Sequence, residues 1–210
     1  MNLLHFLSQN HEQILELTAE HLWLVGISTL LAVLVGIPLG ILSARWPVWN
    51  RPVLGTANII QTIPSLALFG FLLPVPWLGD RADRLAILAL TLYALLPVIR
   101  NTYTGIRGVD PAVVEAGRGM GLTGRQLLFE VELPLASSVI LSGVRVAVVV
   151  SVGLATIAAA IGAGGLGEFI FRGLAMVNNQ LILAGAIPAA LLALTADFGL
   201  GWLEKRLRPR

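Results

Sequence analysis

Hydrophobic residues run along this chain in long unbroken blocks rather than at every third or fourth position. Segments 22–44 and 52–79 carry no charge, 85–99 is a shorter block prolonged by uncharged residues beyond Arg100, and 146–167 and 173–196 are again charge-free. A helix needs about 20 apolar residues to cross the hydrocarbon core of a bilayer. The pattern therefore predicts five spans, at 22–44, 53–74, 84–104, 137–161 and 181–203. Buried helices of a soluble bundle would instead show amphipathic faces with regularly spaced charges. Segment 1–20 has a different texture, with Glu12, Glu16 and Glu20 interleaved among apolar residues. It predicts a short amphipathic helix at the membrane surface. It is not read as a signal peptide, because no basic residue precedes its apolar positions. The expected organisation is thus an interfacial segment 1–20, a membrane domain 21–203 with a polar loop at about 108–134, and a basic tail 204–210.

Composition agrees with the patterning and closes other routes. Only 12% of the 210 residues are charged and 56% are hydrophobic, with a mean hydropathy of +0.83; about 25% charge is ordinary for a soluble domain. Disorder is excluded by the apolar content, and a disulfide framework by the absence of cysteine. The net charge of +2 comes with 13 arginines and one lysine scattered between apolar runs. They form no contiguous basic face, so nucleic acid is not a partner. The expectation is an all-α, multi-pass membrane protein surrounded by lipid.

Loop charges give the expected orientation. With the N-terminus outside, 10 of the 14 basic residues fall in inner loops or the C-terminal tail, while Arg81, Arg84 and Arg172 fall outside. That is the positive-inside distribution, and it places Arg100 and Arg107 in an inner loop. Trp23 and Trp77 then sit at the outer boundary and Trp46, Trp49 and Trp202 at the inner one, as interfacial aromatic belts require. Gly36 and Gly40 make a GxxxG step, and Ala155, Ala158, Ala159 and Gly162 a small-residue stripe; both permit close helix approach. Pro38, Pro64, Pro97 and Pro188 are expected to kink spans rather than end them.

The polar loop is dense in local signals. Asp110 followed by Pro111 is an N-cap with proline at the first helical position, which predicts a helix from Pro111 to about Arg118. Gly119-Met120-Gly121 ends it, with a glycine for the left-handed cap. Thr123 and Gln126 match a capping box that starts a second helix, and Pro134 is expected to separate that helix from the next span.

Glu115-Ala116-Gly117, three residues, Gly121, nine residues, then Val131-Glu132-Leu133-Pro134 resembles the EAA loop of ABC importer permeases. Gly117 stands where that family has alanine, and Val131 where it has isoleucine. The stretches 58–74, 93–111 and 161–174 resemble more narrowly the permeases of osmoprotectant importers, which carry glycine betaine, choline, carnitine and related compounds. The resemblance covers about residues 20–200. It implies the five-helix core of the type I ABC importer fold, like methionine permeases. It also implies a cytoplasmic ATPase subunit, an extracytoplasmic substrate-binding protein and a second permease subunit. Glu115, Ala116, Gly117, Gly121, Leu133 and Pro134 would form the ATPase-coupling loop. No catalytic residue, metal or cofactor is expected. A methionine or other amino-acid importer shares the loop and the glycine-rich block, and a channel or ion-coupled carrier would explain the spans alone.

Other candidate chemistry is weaker. Gly162, Gly164 and Gly167 match GxGxxG, but that motif binds dinucleotides only between a strand and a helix. The sole lysine, Lys205, lies in the tail, so a Walker A loop cannot form. His5, His11 and His21 read as surface residues rather than metal ligands. Asn58, Gln61, Thr62, Ser65 and Tyr93 give the second and third spans a polar side, for a pathway or for interhelical hydrogen bonds. Arg145 is either a gate or pathway residue, or a structural one that pairs with Asp197 near the inner end of the fifth span or snorkels to the inner interface. No aromatic box for a quaternary ammonium is visible in the spans, which assigns selection mainly to the binding protein.

Overall fold

The structure, a computed structural model, describes residues 3–207; Arg208 and Arg210 of the expected basic tail lie outside them. Its elements are all helical, with no strand among the described residues. Helix α1 (Leu3–Gln9) leads into α2 (His11–Arg45), and α3 (Pro47–Thr62) and α4 (Ser65–Leu72) follow. Helix α5 (Ala82–Arg107) comes next, then the short α6 (Pro111–Gly119) and α7 (Gly124–Gln126). A π-helical turn, Leu127–Glu132, joins α7 to α8 (Leu133–Ala158), and α9 (Gly167–Ala175) and α10 (Asn179–Leu207) complete the chain. Helix α5 is central, packing against α2, α3, α4 and α8, while α8 also contacts α10.

Four helical stretches, α2, α5, Gly124–Ile161 and α10, are long and apolar enough to cross a membrane, and the bent pair α3–α4 makes a fifth if it counts as one span. They fall where hydrophobicity predicts them, with limits moved by tertiary packing. The single helix expected over 1–20 is divided: α1 ends at Gln9, and the long α2 already begins at His11. Leu17 is buried in a cluster with Leu166, Phe169 and Leu181, so one side of this segment packs on the protein. The second predicted crossing is a bent pair of helices. Helices α3 and α4 meet at 100° around Ile63-Pro64; Pro64 ends a helix there, whereas Pro38, Pro97 and Pro188 stay inside theirs. Pro134 does not separate two helices: residues Gly124–Ile161 form one continuous 38-residue rod. Within it the Leu133 N–H reaches the Leu128 carbonyl five residues back, and such wide turns accommodate a ring that has no N–H. Segment 162–180, expected as a loop, contains α9.

Small residues let the central helices approach. A Cβ on Gly36 would lie 2.8 Å from Val98 Cγ1, and one on Gly40 2.5 Å from Thr102 Cβ, so the GxxxG step of α2 is filled by α5. The main core collects Leu24 and Val25 of α2, Leu68 and Phe69 of α4, Leu85 to Tyr93 of α5, and Val152, Ala155 and Ala158 of α8. Large apolar residues such as Leu34, Leu191 and Phe198 remain more than half exposed on the outside. That inversion suits hydrocarbon as the surrounding medium. All five tryptophans are at least half exposed, and Arg206 covers the Trp202 ring at 4.0 Å.

The two ends of the bundle are distinct. The corner end holds the C-termini of α2, α5 and α10 with α6 and the start of α8; the turn end holds the start of α2, the glycine-rich block and α9.

Candidate functional site

At the corner end the chain leaves α5, reverses through α6 and enters the long rod of α7 and α8. The Asp110 carboxylate accepts from Ala112 N at 2.9 Å, capping α6 as its sequence predicts. The helix ends on Gly121 at φ +85°. Leu122 N–H donates to the Gly117 carbonyl at 3.1 Å and Gly121 N–H to that of Arg118 at 2.9 Å. Together these make a Schellman motif, in which a left-handed residue at the second of two closing positions favours glycine. The Thr123 N–H then donates to Gln126 Oε1 at 2.9 Å and Gln126 N–H to Thr123 Oγ1 at 3.4 Å, closing the capping box.

The corner is tied to the bundle from both sides, yet α6 itself stands clear of it. Pro111, Ala112, Val113, Glu115, Ala116 and Arg118 are all exposed, and only Gly117 of this helix is buried. A Cβ on Gly117 would meet Leu127 Cδ1 at 2.8 Å and Leu122 Cδ1 at 3.3 Å. The departure from alanine at this position therefore lets α6 sit directly on the π-turn. Arg45, the last residue of α2, reaches across to Glu132 Oε2 at 2.7 Å and to the Gly124 carbonyl at 3.1 Å. Glu132 is buried. A half-buried, charge-assisted pair of this kind fixes the base of the rod. Leu133 packs with Ala44, Ile106 and Ala136 behind it, while Pro134 is exposed. A polar cleft of about 420 Å³ opens under α6 between Arg45, Arg107, Glu115, Arg118 and Glu132.

The expected polar side between the second and third spans is present. Asn58 Oδ1 accepts from Arg100 Nη2 at 2.7 Å and Gln61 Nε2 donates to the Tyr93 carbonyl at 3.4 Å. The Tyr93 hydroxyl donates to the Ile63 carbonyl at the break. Thr62 turns back to its own helix at Ile59 O, 2.7 Å away, and Ser65 opens α4, half-buried. Arg145 is not with them. It lies between α8 and α10, where Nε and Nη2 grip both Asp197 oxygens at 2.6 and 2.8 Å and Nη1 reaches Glu204 at 3.4 Å. Of the two readings open from sequence, the pairing one matches this geometry.

Sequence reasoning missed three contacts. His21 is fully buried, with Nε2 3.1 Å from the Val152 carbonyl, and is not a surface residue. Glu20 Oε2 accepts from Gly165 N at 2.9 Å, tying α2 to the glycine-rich turn. The Arg45–Glu132 pair is the third. Only the last left a trace in sequence, as the acid inside the Val131–Pro134 stretch.

Comparison with known proteins accounts for the whole architecture. Residues 36–209 match the family described as binding-protein-dependent transport system inner membrane component. The chain is 47% identical over 205 residues to the glycine betaine/carnitine/choline transport system permease protein OpuCD of Bacillus subtilis, covering 97% of this chain and 88% of that one. It is 45% identical over 205 residues to the carnitine transport permease protein OpuCB of Listeria monocytogenes, covering 98% and 93%. Its fold superposes on the inward-facing MetNI methionine ABC transporter with a TM-score of 0.82 at 23% identity, covering 91% of this chain and 94% of that chain. The fold is that of a type I ABC importer permease, and the chain belongs to the family of binding-protein-dependent transport inner membrane components.

Proposed function

We propose that this chain is the translocation subunit of an ATP-driven importer for quaternary ammonium osmoprotectants of the glycine betaine, choline and carnitine type. The observation that carries the reading is α6, a short helix exposed on nearly every side but anchored at both ends. Such a helix suits insertion into a groove on a partner, where a few residues of one face act as anchors. The partner is a cytoplasmic ATPase subunit, contacted through Glu115, Ala116 and their neighbours. A second permease subunit and an extracytoplasmic substrate-binding protein complete the complex. The names of relatives at 45–47% identity support the solute class.

In mechanical terms the corner converts a push on α6 into movement of the rod. Gly117 against Leu127 couples α6 to the π-turn without an intervening side chain. From there the 38-residue rod runs unbroken to the glycine-rich turn at the opposite end, about 57 Å at 1.5 Å per residue. Arg45 carries the same displacement into α2. ATP binding and release in the partner would thus reach both ends of the pathway through two helices.

In this reading the N-terminus is outside and the corner is cytoplasmic. Because the chain lacks cysteine, single cysteines introduced at Gln180 and Thr123 report topology cleanly. An impermeant thiol reagent should label the first in intact cells and the second only after permeabilisation. The decisive experiment reconstitutes the permease with its ATPase and binding protein in vesicles. Uptake of glycine betaine should require ATP and the binding protein. Methionine carried at a comparable rate would transfer the chain to the amino-acid importers.

A further inference from the structure

Two arginines, Arg100 and Arg145, lie at least seven residues from either end of their long helices, and their surroundings are opposite. Arg145 is held by two carboxylates. Arg100, which loop counting places outside the membrane, sits within α5, seven residues before its end at Arg107, or about 10 Å at 1.5 Å per residue. It is exposed, and its one side-chain partner is the neutral amide of Asn58 at 2.7 Å. Among the described residues it has no carboxylate partner.

A charge at that depth faces protein or water rather than lipid and needs compensation. The described residues do not supply it: at the corner end of the bundle Glu132, Asp197 and Glu204 are engaged with Arg45 or Arg145. Asp110, Glu115 and Glu130 are exposed on the corner itself, past the end of α5, with no ion pair to Arg100. A second copy would bring the same set, with its unpaired carboxylates again on the exposed corner beyond α5. An inner-leaflet lipid phosphate would draw the guanidinium toward the corner end. Asn58 draws it the other way, since it lies eleven residues into α3, about 16 Å from the start of that helix. Arg offers five N–H donors in a planar fork, and Asn58 takes one. The open remainder matches a carboxylate, which accepts two parallel hydrogen bonds. Gln61 and Tyr93 continue the same polar side.

We infer that Arg100, oriented by Asn58, is a binding point for the carboxylate of the transported solute. The pathway then passes carboxylate-bearing quaternary ammonium compounds, such as glycine betaine and carnitine, in preference to choline. Choline shares the trimethylammonium head, lacks the carboxylate and meets an uncompensated cation at this point. The inference rests on the proposed importer function and adds a selection step inside the membrane to selection by the binding protein.

The test measures maximal uptake of glycine betaine and of choline, each at saturating concentration, into vesicles holding the complete complex. Arg100→Gln should lower glycine betaine uptake by about tenfold or more, the scale of one lost charged hydrogen-bonded contact, while choline uptake changes by less than about twofold. Asn58→Asp, nearly isosteric, gives Arg100 a carboxylate within the protein and should depress glycine betaine uptake in the same selective way. This second variant decides the matter if Arg100→Gln does not accumulate. Equal loss for both solutes, as from a lipid-anchoring or purely structural role, overturns the inference, and so does unchanged uptake. Failure of the importer reading shows separately in the unmodified complex, which would then carry neither compound, and the inference falls with it.

Discussion

The corner and the glycine-rich turn both reverse the chain through left-handed glycines, yet they use them under opposite constraints. At the corner, Gly121 has φ +85° and nothing within 4 Å of where its Cβ would be. At the other end, Gly164 and Gly165 have φ +82° and +79°. A Cβ on Gly164 would collide with the Glu20 carboxylate, and one on Gly165 would come within 3.1 Å of His21 Nδ1. The first reversal needs only a backbone angle. The second needs the angle and the missing side chain, because α2 packs directly on it. One end is built to be contacted from outside, the other to be filled from within.

Substitutions should separate the two. The largest effect is expected at Gly167, where a Cβ would strike the Thr156 carbonyl and lie 2.7 Å from Ala159 Cβ. Neither neighbour can swing aside, so Gly167→Ala should cost about 3 kcal/mol, the upper range for overpacking. It should show as a large fall in melting temperature of the purified protein in detergent. Gly165→Ala comes next, at about 2 kcal/mol from a left-handed backbone plus contact with His21. The same melting measurement checks it, and a loss equal to that of Gly121→Ala would remove the distinction between the ends.

Gly121→Val should cost about 1–2 kcal/mol, from backbone conformation alone. Its signature is functional: near-normal abundance in the membrane with loss of uptake driven by ATP hydrolysis, because α6 is tilted from its groove. Normal uptake by this variant would remove the corner from the coupling route. Smallest is Asp110→Ala, which deletes the cap on Ala112 N and should cost about 1 kcal/mol. It should fray the start of α6, read as faster amide exchange over residues 111–114 with the rest of the bundle unaffected.

The same contrast explains what was legible in the sequence. Cap, proline, closing glycine and capping box act between residues two to five apart, so the corner could be assembled from local patterns before any tertiary structure was known. The crossings were legible because hydrocarbon selects for composition. Glu20 and Gly165 stand 145 residues apart, and Arg45 and Glu132 stand 87 apart. No periodicity announces such pairs. The π-turn was hidden because it is a change of hydrogen-bond register that residue types do not encode locally. Arg100 was placed two ways for a related reason: the span 84–104 enclosed it while the charge count put it in an inner loop, and no local signal announces Asn58, its partner within the helix.

The bent pair α3–α4 bears on how this protein is made. Hydrocarbon does not tolerate a lipid-facing break in a helix, because the freed backbone groups find no water there. At Ile63 the carbonyl is satisfied by the Tyr93 hydroxyl, and Gln61 leans on the same turn of α5. Both partners come from a helix synthesised later. While only the first 80 residues have emerged, α3 and α4 have no bilayer conformation equivalent to their final one. The break is satisfied only once α5 is in place, so the final packing of α3 and α4 depends on a helix that follows them in the chain.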